Sequence, residues 1–207
     1  MSEILLNVAD IRHRSKVNGP GLRSVVWVQG CSRRCPGCIN PHTHAHDPIK
    51  LLDPEELGQK LADIEDTVGI TLSGGEPFEQ AQGCAILAET VKATGKSVMV
   101  FTGFPFEELQ ESTEPSVQRL LKAIDLVVAG PFVQELKCES KFWRASSNQT
   151  VHFLNGTGED MVESETPEEP VIEIQADGDS FSYTGFPEKE DLTWFDQLGK
   201  PLRDDLS

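Results

Sequence analysis

Two short stretches hold most of the chemistry this chain could do. Cys31-Ser32-Arg33-Arg34-Cys35-Pro36-Gly37-Cys38 spaces three thiols as C-x3-C-x2-C, just after Val25-Val26-Trp27-Val28, a strand-like run ended by Gly30. Three thiolates on one tight loop can reach three corners of one iron–sulfur cube, a cluster usually held by four cysteines. Lacking the fourth, one iron stays open to a ligand, which is what separates a catalytic metal site from a closed structural one. Zinc on the three cysteines plus one of His42, His44 and His46 is a second reading of the same residues. Three unliganded surface cysteines are a third.

The other stretch is Ser73-Gly74-Gly75-Glu76-Pro77. Its two glycines let backbone come close to a ligand, and Glu76 can accept hydrogen bonds from an ammonium group. Taken alone it reads as a tight strand-to-helix connection. It gains meaning one strand–helix unit after the cysteine loop, because loops that follow successive parallel strands share a face.

The elements that must position these stretches alternate. Asp53 is a helix N-cap, Pro54 suits the first helical position, and Glu56 completes a capping box. Leu57, Leu61 and Ile64 give that helix an apolar stripe. Residues 68–72 read as a strand. From 79 to 94 the pattern is helical, with Ala81, Cys84, Ala85, Ala88 and Val91 on one face and Gly95 as terminator. Strands at 97–101 and 125–128 bracket a helix at 116–124. Strands alternating with helices imply an α/β fold with a parallel sheet. Three regions follow: 1–155 as the main domain, 156–170 as an acidic linker, and 171–207 as a small appendage and tail. In the last, Val171–Gln175 and Ser180–Thr184 flank Asp177-Gly178-Asp179 as a β-hairpin.

Composition sets outer bounds. The chain has 207 residues and a net charge of −16, which argues against a general nucleic-acid binder. From Asn155 onward 15 acidic residues face 3 basic ones, so the body is nearly balanced and the acid collects in the tail. No apolar run approaches a membrane span, and Met1-Ser2-Glu3 has no basic leader, so a cytoplasmic protein is expected. Five cysteines, an odd number with three of them clustered, fit a metal or redox site better than a disulfide framework. Cys84 falls on an apolar helix stripe as a core residue, and Cys138 has no assignable role. His13 and His152 carry no context beyond ordinary solvation or packing.

Together the cysteine loop and the Gly-Gly-Glu-Pro turn resemble the radical S-adenosylmethionine superfamily. Asn18-Gly19-Pro20-Gly21-Leu22-Arg23 and Cys38-Ile39-Asn40-Pro41-His42-Thr43 resemble the entry and exit segments of its glycyl-radical-enzyme activating enzymes. Cys35-Pro36-Gly37-Cys38 and Ser146-Ser147-Asn148-Gln149 look most like the short activators of anaerobic ribonucleotide reductase. The likeness runs over residues 5–155.

The resemblance implies a partial (βα)-barrel and a [4Fe-4S] cluster on Cys31, Cys35 and Cys38. It also implies S-adenosylmethionine, with its methionine on the open iron. One electron would cleave the sulfonium, and the resulting 5′-deoxyadenosyl radical would take a hydrogen from a glycine of a partner enzyme. Glu76 would accept the methionine ammonium, with backbone contacts from Gly74 and Gly75, and Gly37, Cys38 and Ile39 would run along the adenine. Gly37 stands where many members carry an aromatic, so no stack is expected from that position. Arg23 would face a carboxylate or the anionic surroundings of the cluster, or form a surface ion pair. Asp125 is either functional or a strand-start residue. The partners implied are a glycyl-radical enzyme, of the anaerobic ribonucleotide reductase type, and a low-potential electron donor such as flavodoxin or ferredoxin, with no nucleic acid and no membrane. Two alternatives stand beside this: a radical enzyme acting on a small molecule, like 7-carboxy-7-deazaguanine synthase, and a zinc-binding interaction module.

Overall fold

The protein is described by a computed structural model at residues 4–138, 143–155, 172–177 and 180–185. The acidic linker, the tip of the expected hairpin at 178–179 and the tail beyond 185 lie outside the described residues.

Seven strands form one sheet in the order β3-β1-β2-β4-β5-β6-β7. They are β1 (Leu6–Ser15), β2 (Arg23–Val28), β3 (Lys50–Leu52), β4 (Gly69–Gly74), β5 (Ser97–Thr102), β6 (Leu126–Ala129) and β7 (Thr150–Phe153). β2, β4, β5 and β6 pair in parallel. β1 and β3 on one side and β7 on the other are antiparallel. The parallel sheet expected from sequence is therefore the centre of a mixed one. The outer strands escape a pattern reading for physical reasons: β1 is broken by two register shifts, and β3 is three residues long.

Four helices connect these strands: α1 (Pro54–Ala62), α2 (Ala81–Lys92), α3 (Phe106–Glu111) and α4 (Pro115–Ala123). The Asp53 carboxylate accepts the Glu56 N–H at 2.8 Å, which caps α1. After α2 the chain turns at Gly95, whose φ of +83° suits glycine. Strand alternation sends Val26, Val28, Ile70, Leu72, Val98, Val100 and Val127 to the helix side, where they pack with Leu57, Leu61, Leu87, Val91 and Leu120. Cys84 belongs to this core, fully buried. The opposite sheet face carries a smaller cluster of Met99, Leu126, Val128 and Trp143. Among the described residues no helix is long and apolar enough to cross a membrane.

The two ends of the parallel strands do different work. At the N-terminal end Arg23 is 2% exposed. Its guanidinium donates to the Ile70 carbonyl at 2.8 Å, the Ser97 and Pro20 carbonyls at 3.1 Å, and the Ser97 and Thr71 hydroxyls. It pins the entry loop to three strands at the end of the sheet away from the cysteine loop, which corrects the expectation that it faces the cluster. Asp125 works at the same end, bonded to Lys92 Nζ at 2.6 Å and to the Val98 N–H at 2.9 Å. Its structural reading is the one that holds.

β8 (Ile172–Asp177) and β9 (Ser180–Gly185) pair antiparallel as a separate two-stranded sheet. They meet the main sheet at this same end, where Arg12 donates to the Glu173 carbonyl at 3.2 Å and the Asn18 amide to Thr184 Oγ1 at 3.0 Å.

Arg23→Met keeps the apolar stem and removes every one of these donors. Denaturant unfolding should show a loss of roughly 3 kcal/mol or more, since a charged donor to several buried acceptors is being deleted. A loss below about 1 kcal/mol would contradict the role assigned to Arg23.

Candidate metal centre

At the opposite end of the sheet the two sequence stretches are joined backbone to backbone. Val28 lies in register with Gly74. The Gly75 N–H donates to the Val28 carbonyl at 2.7 Å and the Glu76 N–H to the Gly30 carbonyl at 2.9 Å. Gly30 and Cys31 in turn donate to the Thr43 and His44 carbonyls at 2.8 and 3.2 Å, which ties in the segment that leaves the cysteine loop. This closeness requires glycine. A Cβ on Gly74 would stand 2.7 Å from Trp27 Cα, and one on Gly75 would fall on the Gly30 carbonyl oxygen, inside any allowed contact. The Gly-Gly pair thus seats the Glu76 turn against the root of the cysteine loop.

The loop itself is tightly wound. Arg34 and Gly37 take left-handed conformations, φ +47° and +72°. The Cys38 N–H closes a turn onto the Cys35 carbonyl at 3.1 Å, and the Asn40 N–H donates to Cys38 Sγ at 3.4 Å. Cys31 is buried, while Cys35 and Cys38 are half-buried. Burial raises the pKa of the Cys31 and Cys38 thiols, and for Cys38 the neighbouring Cys35 and Cys31 add to it. Three mutually repelling thiolates need a strongly cationic centre to form together, and an iron–sulfur cluster fits that donor set. Among the described residues no three His, Cys, Asp or Glu side chains are gathered to hold a single ion. A cube, unlike an ion, takes each thiolate at a separate corner.

One residue that fastens the loop was not singled out from the sequence. Glu79, one turn beyond Glu76, accepts the Ser32 N–H at 2.8 Å and the Ser32 hydroxyl at 3.2 Å, and lies 3.0 Å from His46 Nε2. Burial opposes its charge, but the bonds from His46 and Ser32 outweigh that and hold its carboxyl below the ordinary range. His46 is thereby a partner of Glu79. His42 is exposed and His44 half-buried. Cys138 lies in a loop, its N–H bonded to the Ala145 carbonyl at 3.3 Å.

Glu76 is the buried charge of the site, at 1% exposure. Its carboxylate accepts Thr102 Oγ1 at 2.7 Å, the Gly103 N–H at 2.8 Å and the Phe78 N–H at 3.1 Å. Arg33, from within the cysteine loop, lies over the Phe104 ring at 4.4 Å and faces Glu76. Desolvation still dominates and lifts the pKa from 4.5 to about 7. Gly37 is exposed, as is Ile39 at 46%. A Cβ on Gly37 would meet Gln134 Oε1 at 2.8 Å and Phe132 Cε1 at 3.3 Å. An aromatic ring therefore does stand beside this stretch, supplied by the loop after β6. Ser146-Ser147-Asn148-Gln149 holds that loop: Asn148 donates to the Pro131 carbonyl at 2.8 Å, Gln149 to the Gly130 carbonyl at 3.0 Å, and the Val133 N–H to Ser146 Oγ at 3.3 Å.

Two tests follow from this geometry. Gly75→Ala should separate the turn from the loop and lower the iron bound per chain at least several-fold after anaerobic reconstitution, with the fold retained by circular dichroism. Full iron loading would contradict the joint. A buried carboxyl with a raised pKa also weakens the fold once it ionises. Against Glu76→Gln, the ligand-free wild type should lose ~3 kcal/mol as pH rises from about 4.5 to about 7 and no more beyond, read from urea midpoints. Parallel pH profiles for the two proteins would refute it.

Comparison with known proteins agrees with this geometry. The family model for a 4Fe-4S single cluster domain matches residues 17–152. The anaerobic ribonucleoside-triphosphate reductase-activating protein of Salmonella typhimurium is 37% identical over 146 residues, covering 67% of this chain and 92% of that protein. Its Escherichia coli K12 counterpart is 36% identical over the same shares, and that of Enterobacteria phage T4 is 30% identical over 139 residues, covering 64% and 85%. A turn that only glycine permits, seated on a three-cysteine loop, is thus found in a chain that belongs to the 4Fe-4S single cluster domain family and, within it, to the anaerobic ribonucleoside-triphosphate reductase-activating proteins.

Proposed function

We propose that this chain activates an anaerobic ribonucleotide reductase by generating a glycyl radical on it, using S-adenosylmethionine and a [4Fe-4S] cluster held by Cys31, Cys35 and Cys38. The observation that carries the reading is the joint between Gly30 and Gly75-Glu76, which sets a buried carboxylate beside a loop of three thiols. When bound, the cluster supplies the electron that cleaves the sulfonium, releasing methionine and the 5′-deoxyadenosyl radical that takes the glycine hydrogen.

The protein's own residues bind and orient. Glu76 is buried with a raised pKa, and an arriving primary ammonium would draw its carboxyl into the ionised form, so it receives the amino group of the methionine moiety. Gly74 and Gly75 keep backbone rather than side chain next to that moiety. Gly37, Cys38 and Ile39 offer backbone to the adenine. Glu79 holds the loop through Ser32 and fixes the thiols relative to Glu76. The mixed sheet, with its described helices packed on one face, supports the partial-barrel reading. A low-potential protein such as flavodoxin or ferredoxin is the proposed reductant. Five free thiols suit a reducing cytoplasm. The relatives carry no support for a small-molecule substrate.

The test is Cys35→Ala, with each protein purified and reconstituted without oxygen. Reduced wild type should release 5′-deoxyadenosine from S-adenosylmethionine and produce a glycine-centred paramagnetic signal on the reductase. The variant should show neither, at least a hundredfold down. Continued cleavage by the variant would overturn the ligand assignment.

A further inference from the structure

We propose that the Thr102 hydroxyl is a positioning residue for ligand capture: it fixes one oxygen of the Glu76 carboxylate so that the other is left to receive the ammonium of S-adenosylmethionine. This rests on reading Glu76 as the ammonium acceptor and adds which oxygen is used and what aims it.

The two oxygens of Glu76 are not equivalent. Oε1 accepts two donors, the Thr102 hydroxyl at 2.7 Å and the Phe78 N–H at 3.1 Å. Oε2 accepts the Gly103 N–H at 2.8 Å. A carboxylate oxygen offers about two lone-pair directions, so the bonds saturate Oε1 and leave Oε2 with room for one more donor.

The direction of the Thr102 proton is also fixed. Thr102 Oγ1 accepts the Phe104 N–H at 3.1 Å. With that lone pair engaged, the single hydroxyl proton points to Oε1 and the threonine acts as a donor toward Glu76. Thr102 is 4% exposed and closes β5, and its carbonyl accepts the Gly130 N–H at 3.1 Å. Its β-branch narrows the side-chain rotamers, so the hydroxyl is held rather than merely available. Phe104 serves twice: its N–H orients Thr102, and its ring underlies Arg33. Two of the three donors that orient Glu76, the Thr102 hydroxyl and the Gly103 N–H, thus come from β5 and the turn after it, an element outside both sequence motifs.

The experiment compares two ligands on the cluster-loaded protein by equilibrium binding: S-adenosylhomocysteine, which carries the ammonium, and 5′-methylthioadenosine, which lacks it. Thr102→Val should weaken the first about tenfold or more and leave the second within about twofold. Thr102→Ser should retain the wild-type preference, and Thr102→Ala should lose it even if the valine variant loads its cluster poorly. Unchanged discrimination in both Val and Ala would overturn the proposal. Equal weakening of both ligands would overturn it too, by showing a role in packing alone. Glu76→Gln separates the two levels. If it binds S-adenosylhomocysteine as the wild type does, the ammonium reading falls and takes this proposal with it. If it alone loses that ligand, only the role of Thr102 falls.

Discussion

Everything at the working end of this molecule depends on two main-chain hydrogen bonds, Gly75 N–H to the Val28 carbonyl and Glu76 N–H to the Gly30 carbonyl. They extend the β2–β4 ladder past the ends of the strands and join two loops that would otherwise diverge. The joint tolerates no side chain, because Gly30 backbone lies where a Cβ on residue 75 would project. The glycines of the Gly-Gly-Glu-Pro turn are therefore first a packing requirement. Their chemical use, backbone open to a ligand, follows from the same absence of side chains. One constraint sets the distance between the thiols and the carboxylate.

That carboxylate is costly to the fold. Burial favours its neutral form, and three donors with one facing guanidinium offset this only in part. A group kept in this state is poised to gain from an arriving cation. The surrounding sheet is rigid enough to bear it: strands β2, β4, β5 and β6 are buried on the helix side, and Arg23 and Asp125 lock their far ends. The Arg23 and Asp125 locks lie at one end of the parallel strands and the cysteine loop and Glu76 at the other, the end at which active sites of parallel α/β sheets are found. The β8–β9 sheet attaches through Arg12 and Asn18 at the end where Arg23 and Asp125 lie.

The sequence makes some of this legible and hides the rest for identifiable reasons. Motifs made of adjacent residues can be read directly: the cysteine spacing, the glycine pair, the Asp53 cap and the Cys84 core stripe all depend on local pattern. Contacts between distant segments cannot be read this way. Glu79 looks like a helix-start acid until Ser32 and His46 are seen on it, 47 and 33 positions away. Thr102 looks like a strand end until Glu76 is found 26 residues back. Arg23 reads as a surface charge, because pattern cannot foresee the carbonyls of Pro20, Ile70 and Ser97 converging on it. The mixed character of the sheet stays hidden because the antiparallel strands are short or bulged, so alternation never runs long enough to register. Ser146–Gln149 marks a sub-family in the sequence, and its physical work appears only when Asn148 and Gln149 are seen gripping the carbonyls of Pro131 and Gly130.

A cube held by Cys31, Cys35 and Cys38 would keep one iron open beside Glu76. Electron–nuclear double resonance on the reduced, reconstituted protein tests it most directly, using S-adenosylmethionine labelled with 15N at the amino group and 17O at the carboxylate. Hyperfine coupling of both labels to a single iron is the expected result. A cluster whose spectrum is untouched by either label, with all four irons in equivalent thiolate ligation, would contradict it.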